Sequence, residues 1–226
     1  ELEDADGNDL YPEIRERAIA ILESGKTDHH DLVRYEYIRR LGYYCTESSE
    51  HNAEYNNFFI KAKYPELIER YNIPLDEYPR RCINQIENWK KDREKYMHDD
   101  VTHTRTTEYA SYIMEAIVTD IPYKIGGNVI NNGLIPNLPA EACVEVACLV
   151  NKNGIQPCAQ KPLPLQLAAM NSAMIGVQLL TIEAAVTQKK ETIYQAAMLD
   201  PHTSSELSID EIIRLCDDLI EAHGSY

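Results

Sequence analysis

Residues 122–158 constrain the fold most, because they interrupt a chain whose other segments space their apolar residues as helices do. The segment is rich in Gly, Asn and Pro, and it contains the apolar, β-prone run ACVEVACLV followed by the turn sequence NKNG. It therefore predicts two or more strands in one small sheet. With the helical segments on both sides, this indicates an α+β fold that is dominated by helices and has a small, mostly antiparallel sheet.

Capping residues predict several helix boundaries. Asp31 is a candidate N-cap and Gly42 a candidate end of one helix, and Ser208 with Glu211 has the spacing of a capping box at the start of another. Residues 165–187 are apolar on nearly every face, which predicts a helix that lies in the middle of the domain or at an interface.

Composition argues against several classes of protein. The 226 residues carry a formal net charge of −15, which disfavours binding to nucleic acid or to an anionic membrane surface. No apolar run approaches the roughly 18 residues of a membrane span. The six cysteines form no Cys-x-x-Cys pair, so we interpret them as reduced thiols of a cytoplasmic protein. The N-terminus has neither an apolar signal core nor a start methionine, and we expect a fragment or a processed piece of a longer protein.

The sequence GYYCTESSEHNAEY (residues 42–55) is the first candidate site. Either serine of this loop can cap a helix that begins here, and Glu50 then lies in its first turn, where the helix dipole favours an anion. The alternative is that Glu47, Glu50 and His51 form a polar cluster that acts as a general base, a metal neighbour or a sugar clamp.

The sequence NVINNGLIPNLP (residues 128–139) is the second candidate, because it crowds four asparagines into one short segment. Asparagine tolerates left-handed backbone geometry, so turn chemistry explains part of this pattern. Side-chain amides also donate and accept hydrogen bonds, which suits recognition of sugar hydroxyls.

The sequence HDDVTHTRTTEYAS (residues 98–111) is the third candidate. Its histidines and aspartates could bind a metal, but they lack a fixed helical spacing and also fit a solvated loop. Arg105 and Glu108 are three residues apart and can simply pair on a helix.

Four segments together resemble glycoside hydrolase family 4. They are VRYEYIRRLGYYCTESSEHNAEY, TEYASYIMEAI, NVINNGLIPNLPAEACVEVACLVNKNGIQP and AAMLDPHTSSELSIDEI, and their order and spacing match over nearly the whole chain. The resemblance is to the α-galactosidase (melibiase) group, with α-galacturonidases nearby. It implies that residues 1–226 form the C-terminal domain of such an enzyme, similar in fold to the C-terminal domain of lactate and malate dehydrogenases.

Family 4 enzymes use NAD⁺ and a divalent metal, usually Mn²⁺, and hydrolyse glycosides by oxidation, elimination, addition and reduction. The resemblance implies that the NAD-binding half and the metal ligands precede this sequence, which has no Gly-x-Gly-x-x-Gly after a strand. We therefore expect both cofactors, and hydrolysis of an α-galactoside or related sugar, to require that N-terminal half. No metal ligand is predicted in this chain, and a homo-oligomer is expected. The alternatives are an α-galacturonidase, or a stand-alone, non-catalytic binding or assembly module.

The resemblance also implies site residues. The base in family members is a Tyr or Asp a few residues beyond a Gly equivalent to Gly42, and counting from Gly42 places Ser48 at that position. Because serine is a poor base, Glu47 is the first candidate for the catalytic base and Glu50 the second. The candidates for binding the sugar are His51, Asn131, Asn132 and Arg105.

Overall fold

The computed structural model describes residues 3–99, 104 and 106–224. In this part of the chain the elements follow one another as α1 (Tyr11–Glu23), α2 (Leu32–Leu41), α3 (Ser49–Tyr55), α4 (Glu66–Arg70), α5 (Glu77–His98), α6 (Ala110–Thr119), β1 (Tyr123–Ile130), β2 (Cys143–Asn151), β3 (Gly154–Pro157), α7 (Leu165–Thr187), α8 (Lys190–Leu199), α9 (Pro201–Glu206) and α10 (Ile209–His223). The strands form one sheet in the order β1-β2-β3. The predicted helix-dominated α+β class with a small sheet is confirmed.

The sequence NKNG forms the turn between β2 and β3, as predicted. Asn151 pairs with Gly154 in an antiparallel ladder, so Lys152 and Asn153 are the two residues of the turn. Gly154 has a φ of +93°, in the region that residues with a Cβ rarely adopt. Alternate residues of β2 are buried from its second residue onward, as expected of a strand with one covered face.

The chain divides into two compact units. The first unit comprises Glu1–Ile73, Gly127–Val146 and Cys158–Tyr226, and the second comprises Pro74–Gly126 and Ala147–Pro157.

The core of the first unit forms around α2. Leu32 and Val33 are fully buried at its start, and Tyr37 one turn later is also buried. The Phe59 ring meets two tyrosine rings edge to face, with centroids 5.5 Å from Tyr37 and 4.9 Å from Tyr71. Aromatic packing therefore fixes α2 against the segments that follow it.

The limits of α2 agree with the sequence, but one predicted bond does not form. Gly42 ends the helix with a φ of +85°. Asp31 occupies the N-cap position, yet its side chain accepts no capping hydrogen bond, because Asp31 Oδ1 accepts from Arg34 Nη1 at 2.9 Å instead.

Two sets of polar contacts order the C-terminal part of the first unit. The predicted capping box at the start of α10 is present, with reciprocal bonds between Ser208 and Glu211. Glu206, at the end of α9, accepts hydrogen bonds from Lys61 Nζ and from the backbone N–H of Ala62, both at 2.9 Å. These bonds tie α9 to the connection between α3 and α4.

The prediction that residues 165–187 lie in the middle of the domain is wrong for this chain. The helix forms as α7, but only three of its residues are buried, and Leu165 and Val186 are 84% and 78% exposed. By length and composition alone, α7 could cross a membrane, although polar residues interrupt its apolar ones and leave no continuous apolar run in the sequence. The core helix of a soluble protein passes the same test, so these properties alone do not make α7 a membrane span.

The second unit contains α5, in which no residue is buried. Its large apolar side chains are exposed, with Tyr78 at 77% and Trp89 at 62%. Tyr112 of α6 stacks on Tyr123 of β1 with ring centroids 5.0 Å apart, and Lys152 Nζ lies 2.7 Å from Asp120 Oδ2.

Candidate functional site

A cavity of about 580 Å³ in the first unit is lined by the first candidate loop. Its walls come from α2, the α2–α3 loop, α3, the segment before β2, the start of β2, and α7. The volume lies in the range of small-molecule sites in proteins. Among its lining residues, those with polar side chains are Tyr37, Tyr43, Tyr44, Cys45, Thr46, Glu47, Asn52, Tyr55, Asn56, Cys143, Glu145, Asn171 and Gln178.

Hydrogen bonds hold the α2–α3 loop in place at this cavity. Ser48 Oγ accepts from the backbone N–H of His51 at 3.2 Å, which makes Ser48 the N-cap of α3. Asn52 Nδ2 donates to the carbonyl oxygens of Glu47 and Ser48 at 3.0 and 2.9 Å, and Arg34 Nε donates to the carbonyl of Cys45 at 3.0 Å. The loop is therefore a fixed wall, and the predicted cap is one of the contacts that fix it.

The structure places the three candidate catalytic residues differently. Glu47 lines the cavity and is exposed, and its Oε1 accepts from the backbone N–H of Ser48 at 2.7 Å. Ser48 and Glu50 belong to the start of α3 and are not among the lining residues. Of the two candidate carboxylates, only that of Glu47 belongs to a residue that lines the cavity.

His51 belongs to a polar group on the surface of α3. Its Nδ1 lies 2.9 Å from Glu54 Oε2, and the ligand atoms of Glu50, His51 and Glu54 all lie within 4.8 Å of one another. The hydrogen bond to Glu54 raises the pKa of His51, and the fields of Glu54, Glu47 and Glu50 add to this effect. The His51 ring also stacks on Tyr55, with centroids 5.8 Å apart.

Asn131 holds the turn that follows β1. Its side chain is fully buried: Oδ1 accepts from the backbone N–H of Ile135 at 2.7 Å, and Nδ2 lies 3.0 Å from the carbonyl oxygens of Ile135, Leu138 and Pro139. Since Ile135 and Leu138 line the cavity, Asn131 shapes that wall from behind.

Asn132 and Arg105 are the other two candidate sugar-binding residues. Asn132 is exposed and has a φ of +40°, which is the left-handed geometry that asparagine tolerates. It is not among the residues that line the cavity. Arg105 lies outside the described residues.

Reasoning from the sequence missed two walls of the cavity. One face of α7 contributes Leu167, Met170, Met174 and Gln178, at the three- and four-residue spacing of a helix face. That spacing was visible in the sequence, but the apolar residues around the rest of the helix concealed it. Glu145 also lines the cavity, and its position as a carboxylate within the alternating run of β2 was a usable signal.

Burial alters the acid–base chemistry of two other residues in the cavity wall. It raises the pKa of the Cys45 thiol to about 11, so this thiol is protonated at neutral pH. Burial and the nearby charge of Asp31 raise the pKa of Tyr44, although Arg34, whose Cζ lies 4.4 Å from the ring centroid, opposes the rise. Neither group is poised to act as a base at neutral pH.

In the described part of the chain, no group of closely spaced metal-ligating side chains lines the cavity. The one group of three closely spaced potential ligands among the described residues is Glu50, His51 and Glu54, of which none lines the cavity. The cavity carboxylates and thiols do not form such a group in that part of the chain. The sequence also has no glycine-rich dinucleotide motif. The described donor groups around the cavity therefore do not fit NAD or Mn²⁺.

Comparison with solved structures supports the fold. The crystal structure of lplD from Bacillus subtilis superposes with a TM-score of 0.82 at 20% identity, over 96% of this chain and 51% of that one. A 6-phospho-alpha-glucosidase from gut microorganisms, solved in complex with NAD and Mn²⁺, gives a TM-score of 0.68 at 16% identity, over 98% of this chain and 51% of that one. At these identities the similarity shows the fold alone.

Sequence comparison gives the family. The alpha-galactosidase of Bacillus subtilis (strain 168) is 59% identical over 222 residues, which are 98% of this chain and 51% of that protein. The chain thus spans about half the length of the curated relatives that it matches. The family described as "Family 4 glycosyl hydrolase C-terminal domain" matches residues 1–203. The resemblance seen in the sequence is confirmed, and the chain belongs to glycoside hydrolase family 4, of which it contains the C-terminal domain.

Proposed function

We propose that this chain is the sugar-binding half of an α-galactosidase that, as a full-length protein, depends on NAD⁺ and Mn²⁺. The observation that carries this proposal is the 59% identity to the Bacillus subtilis alpha-galactosidase over 98% of the chain. The cavity supports it, because hydroxyl, amide and carboxylate groups around a space of about 580 Å³ suit a sugar ring. The overall reaction is hydrolysis of an O-glycosyl bond by oxidation, elimination, addition and reduction.

The two halves have different tasks in this proposal. The front half holds NAD⁺ and Mn²⁺, which supply a hydride acceptor and a Lewis acid. This chain binds and orients the sugar and excludes water from one side of it. Glu47 accepts a proton from the sugar, Ser48 fixes the position of Glu47 by capping α3, and Asn131 shapes the wall that contains Ile135 and Leu138. Glu50 is the second candidate for the base, and His51, Asn132 and Arg105 remain candidates for contact with the sugar.

A neutral galactoside is favoured over a galacturonide or a phosphorylated sugar. The cavity is lined by no Lys, Arg or His among the described residues, whereas a carboxylate or phosphate on the sugar calls for a cationic partner. We therefore expect an aryl α-galactoside to give a higher kcat/KM than the corresponding α-galacturonide. The reverse order would favour the α-galacturonidase alternative.

The decisive assay measures hydrolysis of an aryl α-galactoside with NAD⁺, Mn²⁺ and a thiol reductant. The chain is assayed alone and together with the N-terminal half, and turnover is expected only when both halves are present. Sugar binding without turnover in the reconstituted pair would support the stand-alone binding module instead. An unrelated domain encoded upstream would contradict the proposal.

The role of Glu47 has its own test. Replacement of a general base lowers kcat by about 10²–10⁴-fold, so Glu47→Gln should do so in the reconstituted enzyme. Glu66→Gln, which removes an exposed carboxylate on α4, is the matched control and should leave kcat unchanged. If Glu50→Gln loses activity and Glu47→Gln does not, the base is Glu50; if neither does, both assignments are wrong.

The same proposal includes a homo-oligomer and a cytoplasmic location. The exposed apolar residues of α7, such as Ile182 and Val186, support burial against another polypeptide surface. Ile182→Glu should lower the mass measured by light scattering, while Thr181→Glu, one residue away, tests the effect of charge alone. Six free thiols suit a reducing compartment. A full-length protein that is monomeric, or that sediments with membranes, would contradict this part.

A further inference from the structure

A second, small cavity of about 70 Å³ in the first unit has three cationic side chains on its wall. Lys26, Arg39 and Arg70 line it together with Thr27 and Tyr71, and no carboxylate does so among the described residues. We call this space the basic cavity. Such a concentration of positive charge is unusual in a chain with a formal net charge of −15.

Arg39 lacks an acceptor for one of its buried donors. Its Nη2 donates to Glu36, which also accepts from Arg40 Nε at 3.0 Å. Its Nε, however, is buried and has no hydrogen-bond partner in the described part of the chain. A buried donor without an acceptor is unfavourable, so the environment of Arg39 calls for a further acceptor.

The other two cations of the basic cavity lack an ion-pair partner in the described part of the chain. Neither Lys26 nor Arg70 forms an ion pair with any residue that the structure describes, and Arg70 Cζ lies 5.3 Å from the centroid of the Tyr71 ring. Two carboxylates act on Arg39: the hydrogen bond that Arg39 donates to Glu36 raises the pKa of Arg39, and the field of Glu23 makes a smaller contribution. Lys26 and Arg70 therefore bring to the cavity wall two positive charges that no described ion pair neutralises.

We propose that the basic cavity binds one phosphoryl or sulfuryl oxyanion, held by Lys26, Arg39 and Arg70. A water molecule occupies about 30 Å³, so a cavity of about 70 Å³ has room for two waters or one tetrahedral anion. The anion would supply the acceptor that Arg39 lacks and the charge that Lys26 and Arg70 lack. It would also join three segments of the first unit: the α1–α2 connection, α2, and the end of α4.

This site does not rest on the proposed function. Arg39 is two residues from both Tyr37 and Leu41, which is a rotation of about 200° around α2. Those two residues line the larger cavity, so the basic cavity lies against a different face of the helix. Occupancy of the basic cavity is measured by ligand binding and does not require hydrolysis of a glycoside.

Titration calorimetry of the purified protein with inorganic phosphate tests the proposal, with chloride at matched ionic strength as the reference. Saturable binding is expected, and phosphate at ten times its Kd should raise Tm by about 3–6 °C. Lys26→Gln and Arg70→Gln should each raise Kd by about tenfold. Lys63→Gln is the matched control: Lys63 Nζ lies 5.6 Å from the Tyr64 ring centroid, away from the basic cavity, and its loss should leave Kd unchanged.

A parallel titration with galactose 6-phosphate identifies the source of the anion. A site for free anions binds inorganic phosphate more tightly, and a site for phosphate esters binds both with similar affinity. Either result supports the proposal if Lys26→Gln weakens the binding of inorganic phosphate. The proposal is overturned if phosphate does not bind saturably, or if Lys26→Gln and Lys63→Gln bind it equally well.

Discussion

Replacement of Asn131 by alanine should destabilise the protein more than any change of an exposed asparagine. The substitution removes the only acceptor within hydrogen-bonding distance of the Ile135 backbone N–H in the described structure, at a residue that is 8% exposed. It also removes a donor from three carbonyl groups. Those of Ile135 and Pro139 keep a second donor, the N–H of Leu138 and of Ala142 respectively, whereas that of Leu138 keeps none among the described residues.

Two backbone groups therefore lose their partners in Asn131→Ala. Each such group costs about 1–3 kcal/mol when it is buried, and the Leu138 carbonyl is only partly so, which gives a total of about 3 kcal/mol. For a chain of this size the expected fall in Tm is about 6–12 °C.

Urea unfolding and calorimetry measure this loss, with Asn128→Ala as the control. Asn128 is an exposed residue of β1, and its replacement should change the free energy of unfolding by less than about 0.5 kcal/mol. A loss below about 1 kcal/mol for Asn131→Ala would refute the reasoning. A raised KM for galactoside in the enzyme reconstituted from both halves, without a fall in Tm, would show instead that Asn131 acts on the sugar directly.

Three further predictions concern capping, pH and thiol reactivity. Ser48→Ala should lower the free energy of unfolding by about 1 kcal/mol because α3 loses its cap, and Ser208→Ala should do the same at α10. Ser204→Ala, which removes no cap, should lower it less. Urea unfolding measures all three variants, and an equal loss in Ser204→Ala would contradict the capping role. Burial opposes ionisation of Glu36, but hydrogen bonds from Arg39 and Arg40 outweigh it and hold its pKa below 4.5. The ionised Glu36 therefore stabilises the folded state above pH 4.5, and this stabilisation is lost as pH falls through the lowered pKa. Glu36→Gln should therefore cost about 2 kcal/mol at pH 7 and flatten the acid side of the stability profile, and an unchanged profile would refute this. Because burial raises the pKa of Cys45 to about 11, iodoacetamide at pH 8 should modify the exposed Cys143 and Cys158 first, as peptide mass spectrometry would show; Cys45 reacting first would contradict its burial.

The sequence predicts those parts of the fold that depend on local chemistry. Gly42 ends α2 because its φ of +85° suits glycine, and Ser208 with Glu211 starts α10 because their bonds span only three residues. The β2–β3 turn at NKNG is equally local. Such features need no knowledge of distant contacts, which is why residue type and spacing were sufficient.

Features that depend on distant contacts were predicted less well. The apolar composition of α7 indicated burial, but composition could not show that most of the helix surface stays exposed in this chain. Asn131 was predicted as a candidate for binding the sugar, because only the folded turn reveals that its side chain is buried and bonds to the backbone. Asp31 was correctly placed before α2, yet the competing bond to Arg34 decided the direction of its side chain.

The contacts of Glu206 bear on where a recombinant form of this domain can end. The family match stops at residue 203, but Glu206 anchors Lys61 and Ala62 to α9, and α10 begins only at Ile209. A recombinant chain that ends at residue 203 would lack the hydrogen bonds of Glu206 and the whole of α10, whose Ile212 and Cys216 are buried. A shortened version would then expose the apolar surface beneath them, and poor solubility of such a product would say nothing about the intact domain.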